Sequence, residues 1–470
     1  STGLYKYDGE SKEKTMILKW LDCGLVGDNV NEVVPLEDGR IFCICNDMEG
    51  NTKVGVLEKS EVSEADKKVI KLGSVYSSGE LQEKIIAFNK SNDEYKIEVV
   101  NYENQEDPEK AFANDIIAGN IPDIIDVSNI DLDNYIGKGI LEDLTPYLEK
   151  DDTVNKDFFV DGVLDATAVD GKNYYLVNNF YIVSLAAKAS DVKDYADGWT
   201  VQDMINYYNS KPEGTEIVEY QTKDSLFYDM VGSDIGNYID WKTGEVKFDT
   251  EEFRSVIEFC NKFPNETEYE EESHTYEKIK DGKLLLNTLY LNDLEEFQVY
   301  RRMFDDDVAY IGYPSGDKNG TYLHLSEASL AMTTVSENKD AVWEFMKYSA
   351  TERVKGIYRS GIPASKTEFD RMVKEKTTTE EYVDEDGETI RPLDSTYGFN
   401  DLEVNIKPAS EEDVQMLKDL IKKSKVASNN YEIISMVEEE VKNYFEGTKS
   451  LDDVVKIIQD KLSKYVNENK

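Results

Sequence analysis

The chain has 470 residues, more than one ordinary hydrophobic core accommodates, so two or three domains are expected. Its 97 Asp and Glu face 53 Lys and Arg, a net charge of −44 that excludes nucleic acid as a partner and disfavours anionic membrane surfaces. Four cysteines without a CxxC, and only two histidines, argue against zinc, and no apolar run is long enough to span a membrane.

Residues 1–66 read as four short strands, at 16–20, 32–36, 40–45 and 53–57, with Asp38-Gly39 as a hairpin turn. That is the size of one β-propeller blade, which needs neighbours to cover its faces. A β-extension packed on the main body is the alternative. Cys43 and Cys45 alternate on one strand, share a face and read as core. The opening Ser1-Thr2-Gly3 reads as the start of a mature or trimmed fragment, with any further blades upstream.

From residue 69 strands and helices alternate: strand 69–75, helix 79–91, strand 96–102, a helix through 112–118 and strand 123–127. This order implies a mainly parallel sheet, whose strand ends line a ligand crevice. Gly119 stops the second helix, Pro122 blocks its continuation, and Ile124-Ile125 start a strand buried on both faces. Tyr76 and Ser77 follow the first strand and open onto a helix N-terminus. Ser128 and Asn129 follow the third.

Asn178, Asn179 and Tyr181 form a polar island between the apolar segments 174–177 and 182–187. A mostly helical stretch runs from 200 to 262. Within it Trp241 precedes the turn Lys242-Thr243-Gly244, placed either to stack on a sugar or to cover a hairpin. Tyr290 and Asn292 follow a strand at 282–286, and further strands are expected at 308–313 and 326–333. A helix at 340–349 precedes helices over 411–465 that break near Ser428-Asn429-Asn430, just before the candidate aromatic Tyr431, and again at Gly447. Glu327 and Arg359 are further charged candidates for ligand contact. Trp199 and Trp343 read as structural, and Asp384-Glu385-Asp386-Gly387 as a hairpin turn rather than a calcium loop. Aromatic faces with Asn, Ser and carboxylates suit a carbohydrate, which presents C–H faces and a rim of hydroxyls, and the same composition fits a peptide or polyamine.

These segments, in this order, resemble family 1 extracellular solute-binding proteins, the maltose-binding-protein-like receptors of ABC importers. The carrying motifs are Ala118-Gly119…Pro122-Asp123-Ile124-Ile125 and Gly139-Ile140-Leu141…Leu144-Thr145-Pro146-Tyr147-Leu148. Asp170-Gly171-Lys172-Asn173-Tyr174, Gly198-Trp199-Thr200, Gly282-Lys283, Ala341-Val342-Trp343-Glu344-Phe345, Gly361-Ile362-Pro363 and Tyr444-Phe445-Glu446-Gly447 follow, collinear over 67–470. One departure is Val177-Asn178, where the family usually places Pro.

The resemblance implies an α/β, two-lobed periplasmic-binding-protein-like fold of class II with a hinge, preceded by the small all-β segment 1–66. One lobe would hold 67–180 and 321–357, the other 184–312 and 358–470, with 316–320 crossing between them. It implies a non-catalytic, monomeric receptor that closes on a small-molecule solute, an oligosaccharide by expectation, and delivers it to an ABC permease in the membrane. The protein would be extracellular, tethered by a lipid anchor upstream, without cofactor or metal. A peptide or polyamine receptor and a surface scaffold are the alternatives. A glycoside hydrolase ranks last, and GxSxG, P-loop and HExxH motifs are absent from the sequence.

Overall fold

The computed structural model describes residues 2–48, 50–59, 67–219, 221–267, 274–326, 328–353, 361–399, 402–427 and 430–469. The first five strands are β1 (Gly3–Tyr7), β2 (Lys14–Lys19), β3 (Val30–Pro35), β4 (Ile41–Asn46) and β5 (Thr52–Leu57). β6 (Lys68–Ser74), β7 (Tyr95–Asn101), β8 (Ile124–Asp126) and the long β9 (Asn179–Lys188) follow. The later ones are β10 (Leu286–Leu291), β11 (Val308–Tyr310), β12 (Tyr322–Leu325), β13 (Leu330–Met332), β14 (Ile362–Pro363) and β15 (Lys425–Val426). Among the described residues no helix is long and apolar enough to cross a membrane.

Two sheets organise the α/β body. The first runs β13-β8-β6-β7, parallel except for β13. Ile70, Leu72, Ile124 and Ile125 are fully buried there, because helices cover both faces. Gly73 permits the closeness: a Cβ on it would stand 2.8 Å from Pro122 and 3.0 Å from Phe112. The helix Gly79–Ser91 starts where Ser78 Oγ accepts the Leu81 N–H.

The second sheet runs β10-β9-β12-β15, with β11 and β14 also on β9. Phe180, Ile182, Leu289, Leu291, Leu323 and Leu325 face the core shared with the first sheet. Val183, Leu185, Leu286 and Tyr322 face a second core beneath the surrounding helices. The alternation of β9 therefore sends successive side chains into two different cores.

The chain crosses between the sheets on entering β9, between β12 and β13, and again before β14. Asn178 ties these crossings together. Its Nδ2 donates to the Ala328 carbonyl at 2.9 Å and lies 3.3 Å from Ser349 Oγ, while its own carbonyl accepts the Ala364 N–H at 2.9 Å.

Three expectations need correction. The N-terminal segment is β-rich, but its strands form a β1–β2 hairpin and a separate β3-β4-β5 meander instead of one four-stranded sheet. The 3₁₀ turns Leu21–Cys23 and Gly27–Asn29, behind buried Trp20, redirect the chain between them. The strand expected at 282–286 is β10, about four residues later, because the Lys283 and Leu284 N–H groups still bond the Lys278 carbonyl at a helix end. The crossing expected at 316–320 lies beyond β12, whose Tyr322 already pairs with Val183 of the second sheet.

Gly361 opens the last crossing at φ +101°, and a Cβ there would approach the Phe180 carbonyl oxygen to 2.5 Å. Gly361→Ala is therefore expected to destabilise the protein by about 1–3 kcal/mol, read as a lower unfolding temperature. Gly171→Ala, at φ +75° but facing open space, should lose clearly less in the same thermal scan.

Candidate functional site

The free ends of three strands of the second sheet meet where β9 begins and β10 and β12 end. Antiparallel register puts Tyr181 opposite His324 and Tyr290 opposite Val183, so Tyr181, Tyr290 and His324 share one face. The Tyr181 and His324 rings stack at 5.0 Å with 15° between their planes. Burial pulls the His324 pKa down to about 4, leaving a neutral imidazole at neutral pH. Its Nε2 is buried and finds no partner among the described residues.

Two helices bring further rings. Lys223–Val231 supplies Tyr228 with Asp229, and Tyr431–Phe445 begins with Tyr431. Tyr228, Tyr290 and Tyr431 are 42%, 56% and 54% exposed, enough to present ring faces to a ligand. Burial first, then Tyr431 and Tyr290, raises the Tyr181 hydroxyl. Burial and then Tyr431 raises that of Tyr228, and burial with the Asp229 charge that of Tyr290. The four phenols thus occupy one electrostatic neighbourhood. Burial pushes Asp229 beside them up to about 6.

Opposite lies the segment after β8. Asn430 Nδ2 donates to Asp131 Oδ2 at 2.7 Å, a direct bond across the seam between the sheets. Burial, then the neighbouring Asp133 charge, raises Asp131 to about 7. Close contact continues at Gly137, where a Cβ would stand 2.8 Å from that of Trp241. Lys242 reaches Asp170 at 3.8 Å. Beside these contacts a cavity of about 980 Å³ is lined by Ile130, Asp133, Tyr174, Tyr175 and Trp241. Its lysines are already paired, Lys242 with Asp170 and Lys425 with Asp234 and Asp317. Aromatic faces, phenols, carboxylates and an amide can hold apolar C–H faces and hydroxyls by stacking and hydrogen bonds.

Of the residues singled out in the sequence, Tyr181, Tyr290 and Tyr431 come together, with exposed Asn292 just past the end of β10. Tyr290 lies within β10, one residue before its end. Asn178 ties the crossings, and Asn179 pairs with Pro363 while its carbonyl accepts the Ser326 N–H. Ser128 Oγ donates to Asp126 at 2.7 Å and accepts the Ser329 N–H at 3.2 Å, which occupies its hydroxyl. Asn129 and Tyr76 are exposed at strand ends of the first sheet. Ser77 instead borders a separate cavity under the N-terminal hairpin. Trp241 is buried against Tyr465 and borders the seam cavity. Glu327 and Arg359 lie outside the described residues.

Trp199 and Trp343 are buried, their N–H groups bonded to the Gly312 carbonyl and to Asp151. Asp386 pairs with Arg353 and Arg371, so the 384–387 turn is an ion-paired hairpin. Among the described residues no three potential metal ligands cluster. Tyr228, Asp229, Asp131 and the site role of His324 escaped sequence reasoning. His324 could be found only through β12, which the sequence did not mark as a strand.

Residues 75–356 match the family described as bacterial extracellular solute-binding protein. No curated protein matches the chain. Among solved structures the sugar-binding protein MalE of Xanthomonas citri is similar, with 14% identity over 85% of this chain and 98% of that one, at a TM-score of 0.50. An ABC substrate-binding protein of Listeria monocytogenes, solved with cycloalternan, shows 15% identity over 86% and 100% of the two chains, with a TM-score of 0.48. The galacto-N-biose-/lacto-N-biose I-binding protein of Bifidobacterium longum, solved with lacto-N-biose, shows 15% identity over 86% and 98%, with 0.45. At such identities the MalE likeness is one of fold.

The two seam titrations oppose each other in sign. Unfolded His324 binds a proton below pH 6.5 that the folded ring refuses down to about 4, so its contribution to stability falls with acid across that window. Asp131, raised to about 7, binds its proton in the folded state first, so it opposes stability as pH rises from 4 through 7. Thermal scans should show His324→Gln losing fewer degrees than the parent between pH 7 and 4.5. Asp131→Asn should gain a few degrees over the parent at pH 8 and little at pH 5.

Proposed function

The chain belongs to the bacterial extracellular solute-binding proteins, and from that we propose that it captures a carbohydrate in the seam and delivers it to an ABC permease. The observation that carries the choice of solute is the cluster of Tyr181, Tyr228, Tyr290 and Tyr431 around the strand ends of the second sheet. Ring faces take the C–H surface of a sugar, and the phenols, Asn292 and Asp229 take its hydroxyls. The fold it shares with a sugar-binding MalE agrees with this reading.

In this proposal the two sheets are the cores of two lobes that close on the solute about the crossings Asn178 ties together. The residues bind and orient and perform no chemistry. An oligosaccharide, a monomeric receptor and an upstream lipid tether to the bacterial cell membrane belong to the same reading. Asp131 and Asp229, carboxylates with raised pKa values, favour a polyamine as the second reading. A cation would draw both down and release protons on binding.

A thermal-shift screen with mono- and oligosaccharides, linear peptides and polyamines tests the choice. A ligand at a hundredfold excess over its Kd stabilises by about 2.7 kcal/mol. The largest shift should come from a sugar, with no net proton release in weakly buffered calorimetry. Tyr290→Ala should weaken that sugar about tenfold while leaving the ligand-free unfolding temperature unchanged, since the ring is 56% exposed. A polyamine giving the largest shift, or unaltered affinity in Tyr290→Ala, would overturn the assignment.

A further inference from the structure

A second cavity, of about 390 Å³, lies outside the seam, between the N-terminal hairpin and β7. Five consecutive β7 residues line it, Ile97 through Asn101, although alternate side chains of a strand point to opposite faces. A cavity meets both sets only where it opens on the edge of the strand. β7 is the last strand of its sheet, with β6 on one side alone.

The backbone hydrogen bonds say which groups face outward. The Tyr102 N–H reaches inward to the Ser74 carbonyl. Those of Tyr95 and Ile97 point away from β6 and are taken by the side chains of Asn92 and Asn89, at 2.7 Å each. Asn89 also donates to the Ile97 carbonyl at 3.0 Å. Side chains therefore satisfy the open edge as far as Ile97. By the same alternation the N–H and C=O groups of Val99 and Asn101 point into the cavity.

The opposite wall is the β1–β2 hairpin, which forms its own sheet and does not pair with β7. Tyr5 and Met16 give this wall an apolar surface. An ion pair Lys19–Glu98 at 3.1 Å links the hairpin to β7, and Lys96–Asp22 at 3.0 Å links β7 to the 3₁₀ turn that follows the hairpin. Ser77 Oγ, buried and without a partner among the described residues, adds a polar atom to the wall. Counting Lys19 on Glu98 and Lys96 on Asp22, the lining carboxylates Asp22, Asp28, Glu98 and Glu103 still outnumber these cations by two.

We propose that this gap is a strand-addition site, in which an extended segment of a partner polypeptide bearing basic side chains lies along β7 at Val99–Asn101, beneath the N-terminal hairpin. Main-chain groups of the segment would meet the outward N–H and C=O groups, and its basic side chains the acidic lining. The site shares no residue with the tyrosine cluster and stands whether or not the solute is a carbohydrate.

The test titrates a capped, fluorescein-labelled hexapeptide of alternating Lys and Val against the full chain by fluorescence anisotropy at low salt. Saturable binding is expected. Val99→Pro should weaken it about tenfold, since it removes an outward N–H at an edge position where proline is tolerated. N-methylating alternate residues of the peptide should do the same while leaving the protein untouched, so the result stands even if Val99→Pro fails to fold. Tyr290→Ala should bind the peptide like the parent. No saturable binding, equal affinity for the N-methylated peptide, or equal affinity for the Glu-Val counterpart overturns the proposal.

Discussion

β9 pairs antiparallel with β10, β11, β12 and β14, so the register of one ten-residue strand brings Tyr181, Tyr290 and His324 to one face. A slip of one residue would turn Tyr181 away from the cleft and drive Val183 out of the second core. The strand starts at Asn178-Asn179, where backbone leaves one sheet for the other and its polar groups would otherwise be orphaned. Asn178 supplies the missing partners from its own amide and carbonyl. The geometry of the Tyr181–His324 face and that of the crossings are thus set by neighbouring residues of one strand entry.

The electrostatics of the seam differ from those of the surface. The chain carries −44 overall, yet Asp131 and Asp229 are pushed by burial to about 7 and 6. Near neutrality each spends part of its time protonated, able to donate as well as accept. Lys242 and Lys425 are neutralised by their own carboxylate neighbours. A strongly acidic protein can in this way present a seam whose polar groups suit an uncharged solute better than an anion.

The parallel core was legible because β6, β7 and β8 are apolar runs between helices with clear starts and stops, such as Ser78 and Gly119. β10 was displaced because Gly282-Lys283 looks like a strand entry when read locally, whereas the Lys278 carbonyl holds those residues in the end of a helix. β12, β14 and β15 have four residues or fewer, too short for a period to show, and they exist only by pairing with β9 or with one another. Tyr181, Tyr290 and Tyr431 were legible as aromatics near breaks. The bond from Ser329 to Ser128 was not legible, because the two lie 201 positions apart, a separation that local pattern cannot bridge. Tyr228 sits on a helix whose sequence gives no sign of what faces it.

The N-terminal strands answer a problem the main body creates. A parallel sheet ends in an open edge, and an open edge invites unwanted pairing. Asn89 and Asn92 cover the first half of that edge with side-chain amides, as loops and caps commonly do. The hairpin covers the rest as a wall rather than as an added strand, tied to Glu98 of β7 through Lys19, while Lys96 ties the turn after it. Had β2 paired with β7, the edge would simply have moved outward by one strand. Standing apart, the hairpin screens the edge and leaves the cavity beside Val99–Asn101 between the two.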